Sequence, residues 1–221
     1  MKKQPLMGIS NAKFYIFDRM DEFTAGDLAA ALRSVSPARR EKALSFVFTI
    51  DRKLSVIAEL LLRFALKENG FAETLPKICE TERGKPYFSP PTAVYFNLSH
   101  CRLAVACAIC ASPVGVDVEC IGECTPDLTD YVLNCRELAA VNGADAPNVE
   151  FCKYFTIKES LLKYTGEGLI DDIPGLLTRD LHVDFYTEVH SAGYVSTICL
   201  TEGTECGRPE KVTCERLREL F

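Results

Sequence analysis

Residues Val94–Glu119 read VYFNLSHCRLAVACAICASPVGVDVE, and the architecture turns on how this stretch divides. Val94–Leu98, rich in aromatic and β-branched residues, predicts a strand that delivers Ser99 and His100 at its end. Leu103–Ile109 and Val114–Glu119 read as two more strands, expected to pair antiparallel around Ala111-Ser112-Pro113. Within Gly115-Val116-Asp117-Val118-Glu119, the period of two sets Asp117 and Glu119 on one face and Val116 and Val118 on the other. The same parity sends Cys107 and Cys110 to opposite faces, so this C-x-x-C reads as small buried hydrophobes and not as half of a zinc site.

Upstream, Gly8–Asp18 reads as an opening strand, and Ser36-Pro37 as a helix N-cap followed by proline at the first helical position. Ala58–Leu66 is strongly helical up to Gly70, and Pro76–Phe88 suggests a strand pair turning at Gly84. Downstream, helices are expected over Thr129–Val141 and Val149–Tyr164, and strands over Leu181–Val189 and Tyr194–Leu200. Strand and helix mix without βαβ alternation, which favours an α+β fold. The order strand, helices, strands occurs twice, with a seam near 111–113, so the chain divides into halves 1–111 and 112–221.

A chain of 221 residues can bury a sizeable core, and 48% apolar with 25% charged residues is globular composition. A net charge of −6 argues against a nonspecific nucleic-acid binder, yet permits a local basic pocket for a small phosphorylated ligand. Eleven cysteines, an odd count irregularly spaced, fit a disulfide framework poorly. No apolar run of signal-peptide length follows Met1–Pro5, and Leu103–Cys110 is too short to span a bilayer. A cytoplasmic protein with reduced thiols and no membrane segment is expected.

Two carboxylates on one strand face repel, and a divalent cation such as Mg²⁺ would relieve them, although an exposed strand face gives the same pattern. In Phe155-Thr156-Ile157-Lys158-Glu159-Ser160-Leu161-Leu162-Lys163, helical spacing stacks Phe155, Glu159 and Lys163 in one stripe. Glu159 could be a third oxygen ligand with Lys163 on a phosphate, or the two could be a surface ion pair. Gly84-Lys85-Pro86 presents a lysine on a stiff turn, and His100 titrates where a phosphate partner would. No P-loop or dinucleotide-binding glycine pattern is present.

Taken in order, Gly84–Pro86, Phe96–His100, Gly115–Glu119 and Phe155–Lys163 resemble the Sfp-type phosphopantetheinyl transferases. That family's signatures are G-K-P, F-N-x-S-H, G-[IV]-D-[IV]-E and W-x-x-K-E-[SA]-x-x-K. Further likeness lies in Ser36–Lys42, Glu59–Arg63, Gly166-Glu167-Gly168-Leu169 and Gly193-Tyr194, so it extends from about residue 36 to 200. The resemblance implies two similar α+β halves related by pseudo-twofold symmetry, with the active site at their interface. Residues 1–111 would hold the nucleotide end of coenzyme A, and 112–221 the metal and pyrophosphate. It also implies a monomer that moves the 4′-phosphopantetheine arm of coenzyme A onto a serine of an apo acyl or peptidyl carrier protein, releasing adenosine 3′,5′-bisphosphate.

By the same resemblance, Asp117, Glu119 and Glu159 match the Mg²⁺ ligands, and Lys163 and Lys158 the motif's lysines. Lys163 would sit on the pyrophosphate; apart from the resemblance, the attacking serine needs a proton acceptor, for which Glu159 is the candidate, directly or through a metal-bound water. Arg39, His100 and Lys42 match groups near the 3′-phosphate, with Ser99 preceding the histidine. Lys85 and Pro86 match the stretch at the adenine and phosphate end, and Glu137 a carboxylate facing the site. Three positions depart: Phe155 replaces tryptophan, Ala58 replaces a common glycine, and Leu54 stands where relatives carry an arginine. Arg52 or Lys53 could compensate for the last. A metal-dependent phosphohydrolase, or a coenzyme A- or carrier-binding module without turnover, would be the alternatives.

Overall fold

A computed structural model describes residues 11–71, 75–90, 92–168 and 170–221. Strand β1 (Lys13–Phe17) is followed by helices α1 (Ala25–Ser34), α2 (Pro37–Ser45) and α3 (Thr49–Glu68). The hairpin β2 (Lys77–Glu80) and β3 (Pro86–Ser89) precedes β4 (Tyr95–His100), β5 (Val105–Cys110) and β6 (Val114–Cys120). Helices α4 (Pro126–Val132), α5 (Cys135–Asn142) and α6 (Pro147–Thr165) then lead to β7 (Val183–His190) and β8 (Tyr194–Thr201), with β9 (Glu210–Lys211) and α7 (Cys214–Arg218) at the end. The α+β class is as expected.

The strands form a sheet β4-β5-β1-β9, the β2-β3 hairpin, and a sheet β6-β8-β7. Parity along β5 explains their stacking. Val105, Cys107 and Ile109 pack into a core with α3, including Ile57, Leu61 and Phe64. Ala106, Ala108 and Cys110 face the other way, against Val116, Val118 and Ile198 of the second sheet. Leu161 and Leu162 of α6 then cover that sheet's far face at Cys199. The layers therefore run helix, sheet, sheet, helix, each buried leucine contributing roughly 1.5–3 kcal/mol. Cys107 and Cys110 do lie on opposite faces, and all eleven cysteines are free thiols. Among the described residues, no helix is long and apolar enough to cross a membrane.

Four expectations need correction. β5 and β6 do not pair: β1 and β4 occupy both edges of β5, so β6 crosses the seam and pairs with β8 instead. The helix expected over Thr129–Val141 is two, because Leu133 is extended and Asn134 starts α5 with a capping box to Glu137. Helix α3 begins at Thr49, well before Ala58. Finally, the tail of 112–221 returns to the other half. There β9 pairs parallel with β1, and Val212, Cys214 and Leu217 join the α3 core. Pairing covers an edge of β1 that would otherwise be open. A clasp reinforces the return: Tyr194 Oη and Lys211 Nζ both donate to Asp18 Oδ2 at 2.7 Å. Of the opening strand, Gly8–Ser10 lie outside the described residues, as do the chain start and Leu169.

Candidate active site

The seam between β4 and β6 is made by side chains. β6 is an edge strand, so its outer N–H groups need acceptors from elsewhere. Asn97 Oδ1 accepts the Val116 N–H at 2.9 Å, and Ser99 Oγ accepts the Val118 N–H at 3.3 Å. Two residues along one strand thus meet two along the next, and Asp117 lies between those rungs.

Asp117 is 1% exposed. Its Oδ1 accepts from Ser99 Oγ at 2.8 Å and from Lys163 Nζ at 2.6 Å, and Lys163 also donates to Ser99 Oγ at 2.8 Å. Asp117 Oδ2 is buried without a partner among the described residues. Lys163 occupies the last turn of α6, where the helix dipole favours a cation. Gly115 brings that helix close enough: a Cβ there would lie 2.0 Å from Ser160 O and 2.4 Å from Tyr164 N. The glycine of G-V-D-V-E is thus a packing requirement of α6 on β6.

Burial pushes Glu119 up to about 7, reinforced by Asp117 and Glu159 and opposed by Lys163. Burial and Asp117 likewise raise Glu159, with Lys163 again opposing. These groups form an under-neutralised acidic cluster. Among the described residues, no group of three or more acidic, histidine or cysteine side chains is placed to hold a metal ion, so Asp117, Glu119 and Glu159 do not stand as a preformed triad, and the Lys163 ammonium holds Asp117 Oδ1. The orphaned Oδ2 and the raised carboxylates nevertheless fit a hard divalent cation with oxygen ligands.

A pH dependence follows. The folded chain binds a proton at Glu119 more tightly than the unfolded chain, so this group's contribution to stability falls as pH rises from about 4.5 to about 7. Desolvation lowers His100 and His190, whose contributions run the opposite way below pH 6.5, so a comparison of variants isolates Glu119. Melting of the metal-free protein should show Glu119→Gln gaining stability over wild type across that window; a constant difference would contradict the raised Glu119.

His100 ends β4. The residue is exposed, but partial desolvation of its ring lowers its pKa, as do Lys163 and then Arg39, with Asp51 opposing, so cations from both halves act on this imidazole. Arg39 lies 3.7 Å from Glu59, which accepts the Ser36 N–H at 2.7 Å and its hydroxyl at 2.6 Å, tying α2 to α3. Lys85 Nζ donates to Tyr164 O at 2.6 Å, and burial lowers its pKa. Arg83, Lys85, Pro86, Asn97, Glu159 and Lys163 line a cavity of about 340 Å³.

Two sequence models of families meet end to end on this arrangement. One described as "4′-phosphopantetheinyl transferase, N-terminal" matches residues 22–112, and the "4′-phosphopantetheinyl transferase superfamily" matches 113–207. The chain is 28% identical over 166 residues to a 4′-phosphopantetheinyl transferase of Bacillus subtilis, covering 72% of this chain and 74% of that one. It is 26% identical over 200 residues to psf-1 of Bacillus pumilus (83% and 86% covered) and 24% over 202 residues to Sfp of Bacillus subtilis strain 168 (85% and 90%). The chain belongs to the Sfp-type 4′-phosphopantetheinyl transferases.

Against the family pattern, the structure brings Asp117, Glu119, Glu159, Lys163, Ser99 and His100 to one seam, with Arg39 acting on His100 and Lys85 and Pro86 on the cavity wall. Lys158 is the exception. It is 1% exposed and donates to Glu137 at 2.6 Å, Val132 O at 2.7 Å, and Ile173 O and Pro174 O at 3.2 Å. Those acceptors consume its donors, so Lys158 and Glu137 tie α5 to α6 and neither is free for coenzyme A. Lys42 is exposed on α2, making no ion pair among the described residues. Leu54 is buried in the α3 core, while Arg52 donates to Phe46 O at 2.8 Å and Lys53 to Met20 O at 3.3 Å. Phe155 keeps an aromatic role, stacked on Phe151 with ring centroids 6.0 Å apart. Asn97 and Gly115 stood inside quoted motifs without a role; only the fold shows what each touches.

Proposed function

We propose that this chain transfers the 4′-phosphopantetheine arm of coenzyme A to a serine of an apo acyl or peptidyl carrier protein, at a Mg²⁺-dependent site spanning the β4–β6 seam. The observation that carries this reading is Asp117: tied to both halves through Ser99 and Lys163, it keeps one buried oxygen without a partner among the described residues.

Asp117, Glu119 and Glu159 would hold Mg²⁺, which supplies charge stabilisation to the pyrophosphate oxygens when bound. The carrier serine Oγ attacks the β-phosphorus; the bridging P–O bond breaks, and adenosine 3′,5′-bisphosphate leaves with the electron pair. Glu159 takes the serine proton, directly or through a water on the bound cation. Lys163 swings from Asp117 Oδ1 to the phosphoryl oxygens, where charge builds. His100 and Arg39 bind the 3′-phosphate, and Lys85 with Pro86 forms the wall at the adenine end. The two halves supply opposite walls of one site, so the protein acts as a monomer. Its free thiols suit a reducing, cytoplasmic setting.

Adenosine 3′,5′-bisphosphate should appear mole for mole with modified carrier. Free phosphate with unmodified carrier would point to a hydrolase, and binding without product to a module that does not turn over. Within this reading, His100→Ala should weaken coenzyme A by about tenfold or more while barely affecting 3′-dephospho-coenzyme A, the scale of one lost charge-assisted hydrogen bond. Equal losses for both donors would remove His100 from the 3′-phosphate.

A further inference from the structure

We propose that Asn97 is a positioning residue that fixes the spacing between the nucleotide strand β4 and the metal strand β6, and so couples the two ends of the donor's nucleotide diphosphate. The inference rests on the function proposed above and concerns a residue given no role there. Asn97 is 3% exposed, and its Oδ1 accepts the Val116 N–H at 2.9 Å. The next rung, Ser99 to Val118, is longer at 3.3 Å, and its hydroxyl is shared with Asp117 and Lys163. Among the described residues, Asn97 therefore provides the β4–β6 tie that takes no part in the charged network. Because Val116 claims the carbonyl end, the amide NH₂ is left for the cavity that Asn97 lines with Lys85, Glu159 and Lys163.

The tie lies between the two groups whose separation matters. Three residues on, β4 ends at His100; one residue on from Val116 is Asp117. A donor bridging a 3′-phosphate at His100 and a pyrophosphate at Asp117 uses binding energy from one end to align the other, but only if that span is held. Were β4 to slide on β6, 3′-phosphate binding would no longer serve transfer.

The test compares kcat/KM for coenzyme A and 3′-dephospho-coenzyme A, and the Mg²⁺ concentration for half-maximal rate, in wild type, Asn97→Ala, Asn97→Ser and Asn97→Asp. Wild-type transfer checks the underlying function independently, since without it that reading fails before this one is reached. Alanine and serine, which lack the reach, should lose about tenfold of the preference for the 3′-phosphorylated donor and need more Mg²⁺. Asn97→Asp retains an acceptor for the Val116 N–H and should restore most of the preference. A structural role alone would lower the folded fraction and leave both readouts unchanged. A folded Asn97→Ser with wild-type preference and Mg²⁺ requirement would overturn the proposal, as would an aspartate variant as impaired as serine. Should alanine fail to fold, the serine and aspartate comparison decides.

Discussion

Asp117→Ala is expected to lower carrier modification by about 10³-fold or more, while the protein still melts cooperatively. The first part follows from what the carboxylate does: it accepts from both Ser99 and Lys163 and, among the described residues, keeps a buried oxygen without a partner. Loss of one preorganised charge at a phosphoryl-transfer site is worth several kcal/mol of barrier. The second follows from burial. Lys163 is 30% exposed and can turn to solvent when its partner goes, and Ser99 keeps the Val118 N–H, so the fold loses only about 1–3 kcal/mol. Kinetics at saturating Mg²⁺ beside a thermal melt checks both. Wild-type rate would refute the metal assignment, and an unfolded variant would refute the claim that the lost contacts are functional.

Gly115→Ala, the smallest substitution available, should cost nearly as much activity and more stability. The added methyl would sit 2.0 Å from Ser160 O and 2.4 Å from Tyr164 N, both backbone atoms of α6. No rotamer can relieve that contact, so the helix must move. Glu159 and Lys163 flank Ser160 on that helix and would move with it, away from Asp117. Overpacking of this kind costs about 3 kcal/mol, a fall of roughly 6–12 °C in Tm for a chain of this size. Transfer should drop by about 10²-fold, since misplacement of roughly 1 Å suffices for that. An alanine variant with unchanged Tm and rate would mean that α6 does not lie on β6 as described.

Much of the fold was legible in local patterns, and the misses share a cause. Strand parity placed Asp117 with Glu119 and separated Cys107 from Cys110, because both follow from the pleat alone. Strand pairing is not legible in the sequence, because a strand buried on both faces, as β5 is, carries no mark of which neighbours hold its edges. The break at Leu133 was readable: Asn134-Cys135-Arg136-Glu137 has the spacing of a capping box, hidden by the helical run around it. The return of the tail to β1 was not readable, since two residues of β9 carry no periodicity.

In the site, the helical stripe joined Glu159 to Lys163, and the same geometry argues against Lys158 as a companion. Five residues turn a helix by about 500°, so Lys158 and Lys163 leave α6 some 140° apart. Lys158 duly points into the body of the protein, toward Glu137. The bond from Lys163 to Asp117, 46 residues away in sequence, needed the fold, as did the rungs from Asn97 and Ser99 to β6.

The most direct measurement is the intact mass of an apo carrier protein after incubation with this protein and coenzyme A, with Mg²⁺ and with a chelator in its place. One site built across the β4–β6 seam predicts a gain of one phosphopantetheine arm with Mg²⁺, none with chelator, and none for Asp117→Ala in either. A carrier of unchanged mass with Mg²⁺, across both acyl and peptidyl carriers, would contradict it.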